Sequence, residues 1–139
     1  MKVTFKDIAS VQTGYFAKPI AKGEVVYLQS RHFNETGLLL DTLKPNLSAF
    51  DIPQNHILQA NDILFAAKGS KNFAAVYEKH NLPAVASSSF FVIRLNVNTV
   101  VPKFIAWFLN HPETQAVLKT KAKGTAIPSI TKNALCNMD

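Results

Sequence analysis

The segment Lys68-Gly69-Ser70-Lys71-Asn72 combines residue types that contact phosphates and base edges, and it separates two apolar runs. Gly69 and Asn72 tolerate positive φ, which is all that a turn needs at this point. The two lysines repel each other at a tight tip, so their presence indicates either an anionic partner or ordinary solubility. In the first case lysine neutralises a phosphate or bonds guanine, and asparagine forms a bidentate contact with adenine.

Patterns typical of catalysis and metal binding are missing from the sequence. The histidines are His32, His56, His80 and His111, and none lies four residues from another, as a helical zinc site requires. The order of residues in Gly69-Ser70-Lys71 does not fit a Walker A loop, and there is no G-x-G-x-x-G fingerprint. We therefore expect no catalytic residues, no bound metal and no cofactor. An enzyme that gathers titratable groups in a pocket is an opposing hypothesis.

Length and charge favour one basic globular domain. A chain of 139 residues has the size of a single domain, and 47% apolar residues suffice for a substantial core. Charged residues make up only 17% of the chain, against about 25% in typical soluble domains. The 15 Lys and Arg outnumber the 9 Asp and Glu, which gives a net charge of +6. A polyanion is therefore a natural candidate partner.

The last third of the chain is especially basic. Its acidic residues are Glu113 and Asp139, whereas its lysines are Lys103, Lys119, Lys121, Lys123 and Lys132. Such a run is either a solvated helical face or a surface that contacts phosphates.

The single cysteine and the apolar segments bear on the cellular compartment. Cys136 excludes an internal disulfide and fits a reducing compartment. The first residues lack the apolar segment of a secretory signal, and no apolar run approaches the roughly 18 residues of a membrane span. We expect a cytoplasmic protein without membrane contact.

Apolar periodicity predicts strands through the first two thirds of the chain. Val25–Gln29 is β-branched and aromatic and predicts a strand, whereas Asp7–Thr13 has i, i+3 apolar spacing and predicts a short helix. Asp62–Ala67 and Phe73–Tyr77 are expected to pair as a hairpin around the basic loop. Leu38–Ser48 fits either a loop or a broken helix.

Two more strands and two helices complete the pattern. Ala84–Ser87 and Phe90–Leu95 predict strands, and the second is almost wholly apolar and therefore central. Helical spacing starts at Pro102 and again at Pro112, with each proline at the first helical position. In the first helix the apolar residues with helical spacing are Phe104, Ile105, Phe108 and Leu109, and Phe104 and Trp107 are expected in the core. In the second, Ala116 and Val117 are expected to be buried, and Gly124 is expected to end the helix. The predicted fold class is α+β, with a mixed, mainly antiparallel β-sheet, a β-hairpin core and C-terminal helices.

Five segments, in this order and spacing, carry a resemblance to a known family. They are Phe5–Gly14 (FKDIASVQTG), Asn61–Asn72 (NDILFAAKGSKN), Pro83–Leu95 (PAVASSSFFVIRL), Pro102–Asn110 (PKFIAWFLN) and Gly124–Leu135 (GTAIPSITKNAL). Over nearly the whole chain, the sequence resembles the target recognition domain of type I restriction-modification specificity subunits. It departs from the family at Asn61, where glycine commonly precedes the aspartate, although asparagine can make the same turn.

The resemblance implies that residues 1–139 form a single target recognition domain, half of the usual two-domain specificity subunit. Family members carry a long conserved spacer helix after each such domain, and that helix is missing after residue 139. The chain is then either a solitary half-domain or a truncated one.

The resemblance also implies a division of labour. Loops at one edge of a mixed sheet would face the major groove of double-stranded DNA and read one half of a split target. Separate methyltransferase and restriction subunits would supply methyl transfer and ATP-driven restriction. A homodimer is a further possible assembly.

The candidate DNA-binding residues lie in loops and near the basic end. They are Lys68, Gly69, Ser70, Lys71, Asn72, Thr13, Tyr15, Arg31, Ser88, Lys121, Lys123 and Thr125. Outside the basic loop, a turn or a solvent-facing role explains each residue equally well. Arg31 stands out because the only other arginine is Arg94, which we expect to face outward from its strand. The alternative function is a non-catalytic protein-interaction adaptor whose basic surface binds an acidic partner.

Overall fold

The computed structural model describes residues 8–20, 22–34, 45–48, 52–68, 72–78, 82–96 and 100–121. The strands are β1 (Ala9–Thr13), β2 (Val26–Leu28), β3 (Ile63–Ala66), β4 (Ala74–Val76), β5 (Ala84–Ala86) and β6 (Phe90–Leu95). The helices are α1 (Pro102–Asn110) and α2 (Pro112–Lys121), and short 3₁₀ turns occupy Ser30–His32 and Gln54–His56. The predicted α+β class is confirmed.

The strands form one antiparallel sheet and one parallel pair. The sheet has four strands in the order β1-β6-β3-β4, and β2 pairs with β5 separately. The predicted hairpin is present as β3 and β4, with Leu64 opposite Ala75. Because β6 lies between β1 and β3, the central position predicted for FFVIRL is confirmed.

Both faces of the four-stranded sheet are covered. One face packs against the helices in a cluster that includes Phe65 and Leu118. The other packs against the β2–β5 pair in a cluster that includes Leu64, Phe90 and Leu28. Successive residues of a strand point to opposite faces, so each side chain of β3 meets a core. This explains why the central strands are continuously apolar in sequence.

The helix expected at Asp7–Thr13 is wrong for Ala9–Thr13, which forms β1. Ile8 is helical, and Asp7 lies outside the described residues. Ala9 and Val11 are buried while Ser10 is exposed, which is the two-residue period of a strand. The strand pairs with β6 along its whole length. In so short a segment, i, i+3 spacing does not distinguish a helix from a strand whose partner lies far away in sequence.

Both helices begin at the predicted prolines, Pro102 and Pro112. The side of α1 that faces the core agrees with the predicted spacing at Ile105 and Leu109 and differs from the prediction at Phe104 and Trp107. Phe104 and Trp107 are 55% and 60% exposed, and the buried residues are Ile105, Ala106 and Leu109. Because α1 is apolar on most of its circumference, its sequence does not show which stripe packs on the sheet.

The buried side of α2 also differs from the prediction. Ala116 is exposed and Val117 is 46% exposed, whereas Thr114 and Leu118 are buried. The buried residues are four apart and form the stripe that meets the core. Gly124, the predicted end of this helix, lies outside the described residues.

The segment Leu38–Ser48 is described only from residue 45 onward. In that part, Leu47 forms an isolated antiparallel bridge with Val25. Residues 45–48 contain no helix. The loop interpretation therefore holds for these residues.

A bidentate ion pair joins Asp62, which precedes β3, to Arg94 in β6. The Arg94 Nε and Nη2 groups donate to the two carboxylate oxygens at 2.9 and 2.8 Å. Asp62 is 1% exposed and also accepts a hydrogen bond from the backbone N–H of Gln59 at 2.8 Å. The hydrogen-bonded carboxylate raises the pKa of the Arg94 guanidinium above its ordinary value. Arg94 is 30% exposed, as expected of an outward-facing side chain, but its charge is paired with Asp62.

Asn61 makes the turn before Asp62 in the left-handed region, with φ of 74°. Its N–H donates to the Tyr77 carbonyl at 3.0 Å, and the Tyr77 N–H donates to the Asp62 carbonyl at 2.7 Å. Asparagine enters this region more readily than most non-glycine residues. It therefore replaces the glycine that the resemblance implies.

Candidate nucleic-acid interface

The loops at one end of the sheet meet around a cleft. The strand register places the carboxyl ends of β1 and β3 at the same end as the amino ends of β4 and β6. The segments that follow β1, β2, β3 and β5 enclose an open cleft of about 290 Å³, here called the end cleft. Its lining includes Phe16, Gln29, Arg31, Lys68, Ser88 and Ser89.

Residues 14–17 form one wall of the end cleft and are held by hydrogen bonds on both sides of Phe16. Gly14 N–H donates to the Phe90 carbonyl and Tyr15 N–H to the Ala86 carbonyl, both at 2.9 Å. The Tyr27 hydroxyl donates to the Tyr15 carbonyl at 2.8 Å and accepts from the Ala17 N–H at 3.1 Å. Phe16 itself is 83% exposed.

Gly14 allows this wall to approach β5 closely, and the Tyr27 hydroxyl holds the backbone on both sides of Phe16. A Cβ atom at Gly14 would lie 1.9 Å from the Ser87 carbonyl oxygen, so only glycine permits the observed approach. Burial raises the pKa of the Tyr27 hydroxyl, which therefore stays protonated and available as a donor at neutral pH.

The turn between β5 and β6 supplies hydroxyl groups to the cleft. The Ser87 and Ser89 hydroxyls lie 2.7 Å apart. The backbone of this turn is anchored, since Ser87 N–H donates to the Leu28 carbonyl at 2.8 Å and Ala67 N–H donates to the Ser89 carbonyl at 2.9 Å. Hydroxyls held in this way can donate to or accept from phosphates and base edges.

Two exposed cations border the cleft. Arg31 lies in the 3₁₀ turn after β2, and its Nη2 donates to the Gln29 side-chain oxygen at 3.1 Å. Lys68 follows β3 and is exposed. The ion pair formed within the described residues is that of Asp62 and Arg94, so neither cation is neutralised there. Among the described residues, none that lines the cleft is acidic.

The described residues show no metal-binding group. No three of their His, Cys, Asp and Glu side chains lie close enough together to hold an ion. In the same part of the chain, every buried side-chain nitrogen and oxygen has a hydrogen-bond partner. The chemistry available in the end cleft is thus hydrogen bonding, positive charge and one exposed aromatic ring.

Three of the predicted site residues come together in the end cleft. Arg31, Lys68 and Ser88 belong to segments that are far apart in sequence, yet they line the same surface. Tyr15 lies in the adjoining wall, where its ring contacts His56 at a centroid distance of 5.0 Å and its backbone bridges to Ser87. Its visible role is to support the wall.

Asn72 does not fit the predicted contact with adenine. It is 4% exposed, and its side-chain amide donates to the Ala66 carbonyl at 2.8 Å. Its own carbonyl accepts from the Gln115 side chain at 2.8 Å. The amide thus provides a hydrogen-bond donor for a backbone carbonyl at the end of the hairpin, a common role of asparagine next to a turn.

Thr13 and Lys121 are not among the residues that line the end cleft. Thr13 is opposite Phe91 in the sheet and shares the face that the helices cover. Lys121 is the last residue of α2, in the same helical layer. The remaining candidates, Gly69, Ser70, Lys71, Lys123 and Thr125, lie outside the described residues.

Phe16 and Gln29 line the cleft but were not singled out by the sequence. Each is one residue of an unremarkable type in a short connecting segment. The segment GYFAKP does contain a signal, because two adjacent aromatics are unusual in a loop that precedes a proline. Which of the two is exposed depends on the Tyr27 hydrogen bonds, and these cannot be read from the sequence.

A second exposed surface lies on α1, here called the aromatic patch. Phe104 and Trp107 stack with ring centroids 6.0 Å apart, and Trp107 contacts His111 at 5.2 Å. Val101 beside them is 61% exposed. Neither described helix is long and apolar enough to cross a membrane.

Comparisons with known proteins bear on the fold. No family model and no curated protein matches the sequence. The S subunit of a type I restriction-modification system from M. genitalium matches with a TM-score of 0.63 and 16% identity, over 99% of this chain and 33% of that one. The HsdS subunit from Thermoanaerobacter tengcongensis matches with a TM-score of 0.62 and 14% identity, over 98% and 31%.

A third match comes from a structure on complex assembly and conformational transition of the type I R-M system. Its TM-score is 0.67 at 14% identity, over 98% of this chain and 32% of that chain. This chain thus spans about a third of the length of the solved structures it matches. The resemblance drawn from the sequence is confirmed at the level of the fold, which this chain shares with the S subunits of type I restriction-modification systems.

Proposed function

We propose that this domain binds double-stranded DNA and reads one half of a bipartite target for a type I restriction-modification system. The observation that carries the proposal is the convergence of Arg31, Lys68 and Ser88 in the end cleft. These residues were predicted as DNA-binding residues from separate parts of the sequence, and a fold shared with S subunits brings them together.

The cations would position the domain on DNA. Arg31 and Lys68 are exposed, and no acidic side chain of the described part of the chain lines the cleft beside them. Contacts of this kind to phosphates fix the register and orientation of a protein on the duplex. Lys71 and Lys123 stay in the proposal as further phosphate contacts, with Gly69, Ser70 and Thr125 beside them.

Hydroxyl and amide groups would then read base edges. Ser88 and Gln29 share the lining of the end cleft with the two cations. A glutamine can contact adenine through two hydrogen bonds, and serine can bond to several bases. One good bidentate contact gives roughly 1 to 3 kcal/mol of discrimination against the wrong base.

The remaining parts of the reaction belong to partners in this proposal. Methyltransferase and restriction subunits would act on the DNA that this domain selects, in the cytoplasm, and the domain itself would not catalyse a step. A homodimer would present two end clefts to the two halves of a split target.

Selection of bound sites from a random duplex pool, at low and at high salt, tests the proposal. We expect one short motif to be enriched at both salt concentrations, with affinity falling as salt rises. A pool carried through with the variant Arg31→Ala/Lys68→Ala serves as the control: it should bind every duplex more weakly and with a smaller salt dependence, because phosphate contacts carry no sequence information. A flat sequence profile for the wild-type protein at both salt concentrations would contradict specific recognition.

A non-catalytic adaptor is the second candidate function, and the aromatic patch favours it. Exposed Phe104 and Trp107 resemble the anchor residues of protein interfaces. An adaptor would bind an acidic protein and show no salt-sensitive affinity for random duplex DNA. The salt titration of wild-type protein with duplex DNA therefore separates the two candidates.

A further inference from the structure

Phe16 has the largest exposed fraction among the large apolar side chains of the described residues. It is 83% exposed, compared with 61% for Val101 and 60% for Trp107. A single exposed apolar residue is ordinary on a protein surface. Phe16 differs in its surroundings, because it lines a cleft together with cations and hydroxyl groups.

The backbone on both sides of Phe16 is fixed. Tyr15 and Ala17 are bonded to the same Tyr27 hydroxyl at 2.8 and 3.1 Å. Gly14 is bonded to the Phe90 carbonyl at 2.9 Å. The ring is therefore carried on an ordered wall, and little chain entropy is lost when it contacts a partner.

The groups around Phe16 indicate the chemistry of that partner. Arg31, Lys68 and the serine hydroxyls share its cleft, and the described lining residues include no acidic one. A partner must therefore combine negative charge with a small apolar feature. In the major groove of DNA, that feature is the C5-methyl group of thymine, and phenylalanine is one of the side chains that contact it.

Insertion of the ring between base pairs is the competing geometry. Unstacking a base step costs a few kcal/mol, which architectural proteins offset with large wrapped surfaces. The described residues of the end cleft supply two cations and one exposed aromatic ring, and none of these observations requires the DNA to be distorted. Contact with a methyl group at the groove surface requires no distortion of the DNA.

We propose that Phe16 is a specificity-determining residue that packs against the C5-methyl group of a thymine in the DNA target. This inference rests on the proposed function and adds one defined base preference to it. Removing the methyl group should weaken binding about fourfold, the effect of one buried methyl group.

The experiment starts from the site selected by the wild-type protein. Each thymine in that site is replaced in turn by deoxyuridine, which lacks the methyl group and keeps the base pair. Dissociation constants are measured for wild-type protein, Phe16→Ala and Phe104→Ala. Phe104 is the matched control because it is an aromatic residue, 55% exposed, on α1. Thermal unfolding checks that each variant is folded.

We expect one deoxyuridine position to weaken wild-type and Phe104→Ala binding about fourfold and to leave Phe16→Ala unchanged. An equal penalty in Phe16→Ala, a penalty at no position, or a selected site without thymine would each overturn the inference. In all three cases DNA recognition itself would stand, since the motif is already selected. A failure of the proposed function appears earlier, as a flat selection profile.

2-Aminopurine placed beside the sensitive thymine separates methyl contact from insertion. Unchanged fluorescence on binding supports packing against an intact stack. A strong rise that depends on Phe16 would show unstacking and overturn the methyl contact in favour of insertion.

Discussion

The two arginines of the chain lie in opposite electrostatic surroundings. Arg94 holds both oxygens of Asp62, a carboxylate that is almost fully buried. Arg31 is exposed and is bonded to the uncharged amide of Gln29 in the end cleft. The first arginine stabilises the sheet, and the second leaves its charge available to a ligand. The contrast shows that an excess of positive charge does not reveal which cations bind DNA, whereas the partners of each cation do.

Loss of Arg94 should have the largest effect on stability. Arg94→Ala leaves the Asp62 carboxylate buried with one backbone donor, and breaking such a pair costs on the order of 3 kcal/mol. Urea unfolding measures the free energy. Arg31→Ala is the matched control and should change it by less than about 0.5 kcal/mol. Equal unfolding midpoints for the two variants would contradict the claim that Arg94 stabilises the fold and Arg31 does not.

The pKa of Arg94 gives the pH range of this contribution. Its folded-state pKa is raised by the hydrogen bond to Asp62. The stabilisation from this guanidinium is thus fully present below its ordinary pKa and is lost only as the pH rises through the folded-state value. The difference between wild type and Arg94→Ala that comes from this group should stay constant through the neutral range.

Loss of the cleft cations should have the next largest effect, on DNA affinity and not on stability. Arg31→Ala/Lys68→Ala removes two proposed phosphate contacts, so the slope of log affinity against log salt should fall by about two units. Lys103→Ala/Lys119→Ala removes two exposed cations from the helices. An equal fall in the slope for this control would mean that binding depends on net charge alone.

Tyr27→Phe should have an intermediate effect, because it should lower both the stability of the fold and the DNA affinity of the end cleft. It removes one donor and one acceptor from the wall that carries Phe16. The expected cost is about 1 kcal/mol of unfolding free energy, together with weaker DNA binding. Because burial raises the folded-state pKa, the hydroxyl stabilises fully below its ordinary pKa of about 10. Its contribution is lost as the pH rises through the folded-state value.

Unfolding of wild type and Tyr27→Phe between about pH 8 and 11 tests this sign. The wild type should be the more stable protein at the lower end, and the difference should shrink at the upper end. A difference that grows with pH would contradict the assignment of the hydroxyl as the donor in this wall.

Asn61→Gly should have the smallest effect. The left-handed backbone at φ of 74° suits glycine, so stability should change by only a few tenths of a kcal/mol. Asn61→Ala keeps the turn but adds the left-handed penalty of roughly 1 kcal/mol. Both variants leave the end cleft untouched and should bind DNA normally. A loss of DNA affinity in Asn61→Gly would show that the two regions are coupled.

Local patterns in the sequence predicted the parts of the fold that depend on local physics. The β3–β4 hairpin follows from two apolar runs around a loop that contains glycine, and both helices begin at a proline. The central position of β6 follows from its unbroken apolar run. Each of these signals acts within a few residues of the place where it is read.

Predictions failed where a distant partner decides the outcome. β1 is a strand because β6 offers it a ladder, and Trp107 is exposed because Ile105 and Leu109 face the sheet instead. Asn72 is a residue type that contacts bases, but its side-chain amide is already hydrogen-bonded to the Ala66 carbonyl. The site was predicted only in part. Arg31 and Lys68 could be selected from the sequence because they are charged, whereas Phe16 could be recognised only from the hydrogen bonds that hold its neighbours.

The parallel β2–β5 pair has a consequence for the order of folding. Val26 lies opposite Ala84, so these strands meet only after a long stretch of intervening chain has been closed into a loop. The hairpin and the two helices involve short separations and form faster. Helical circular dichroism should therefore recover before the cleft is assembled. In a refolding experiment, recovery of DNA affinity should lag behind recovery of helicity and report the completion of tertiary structure.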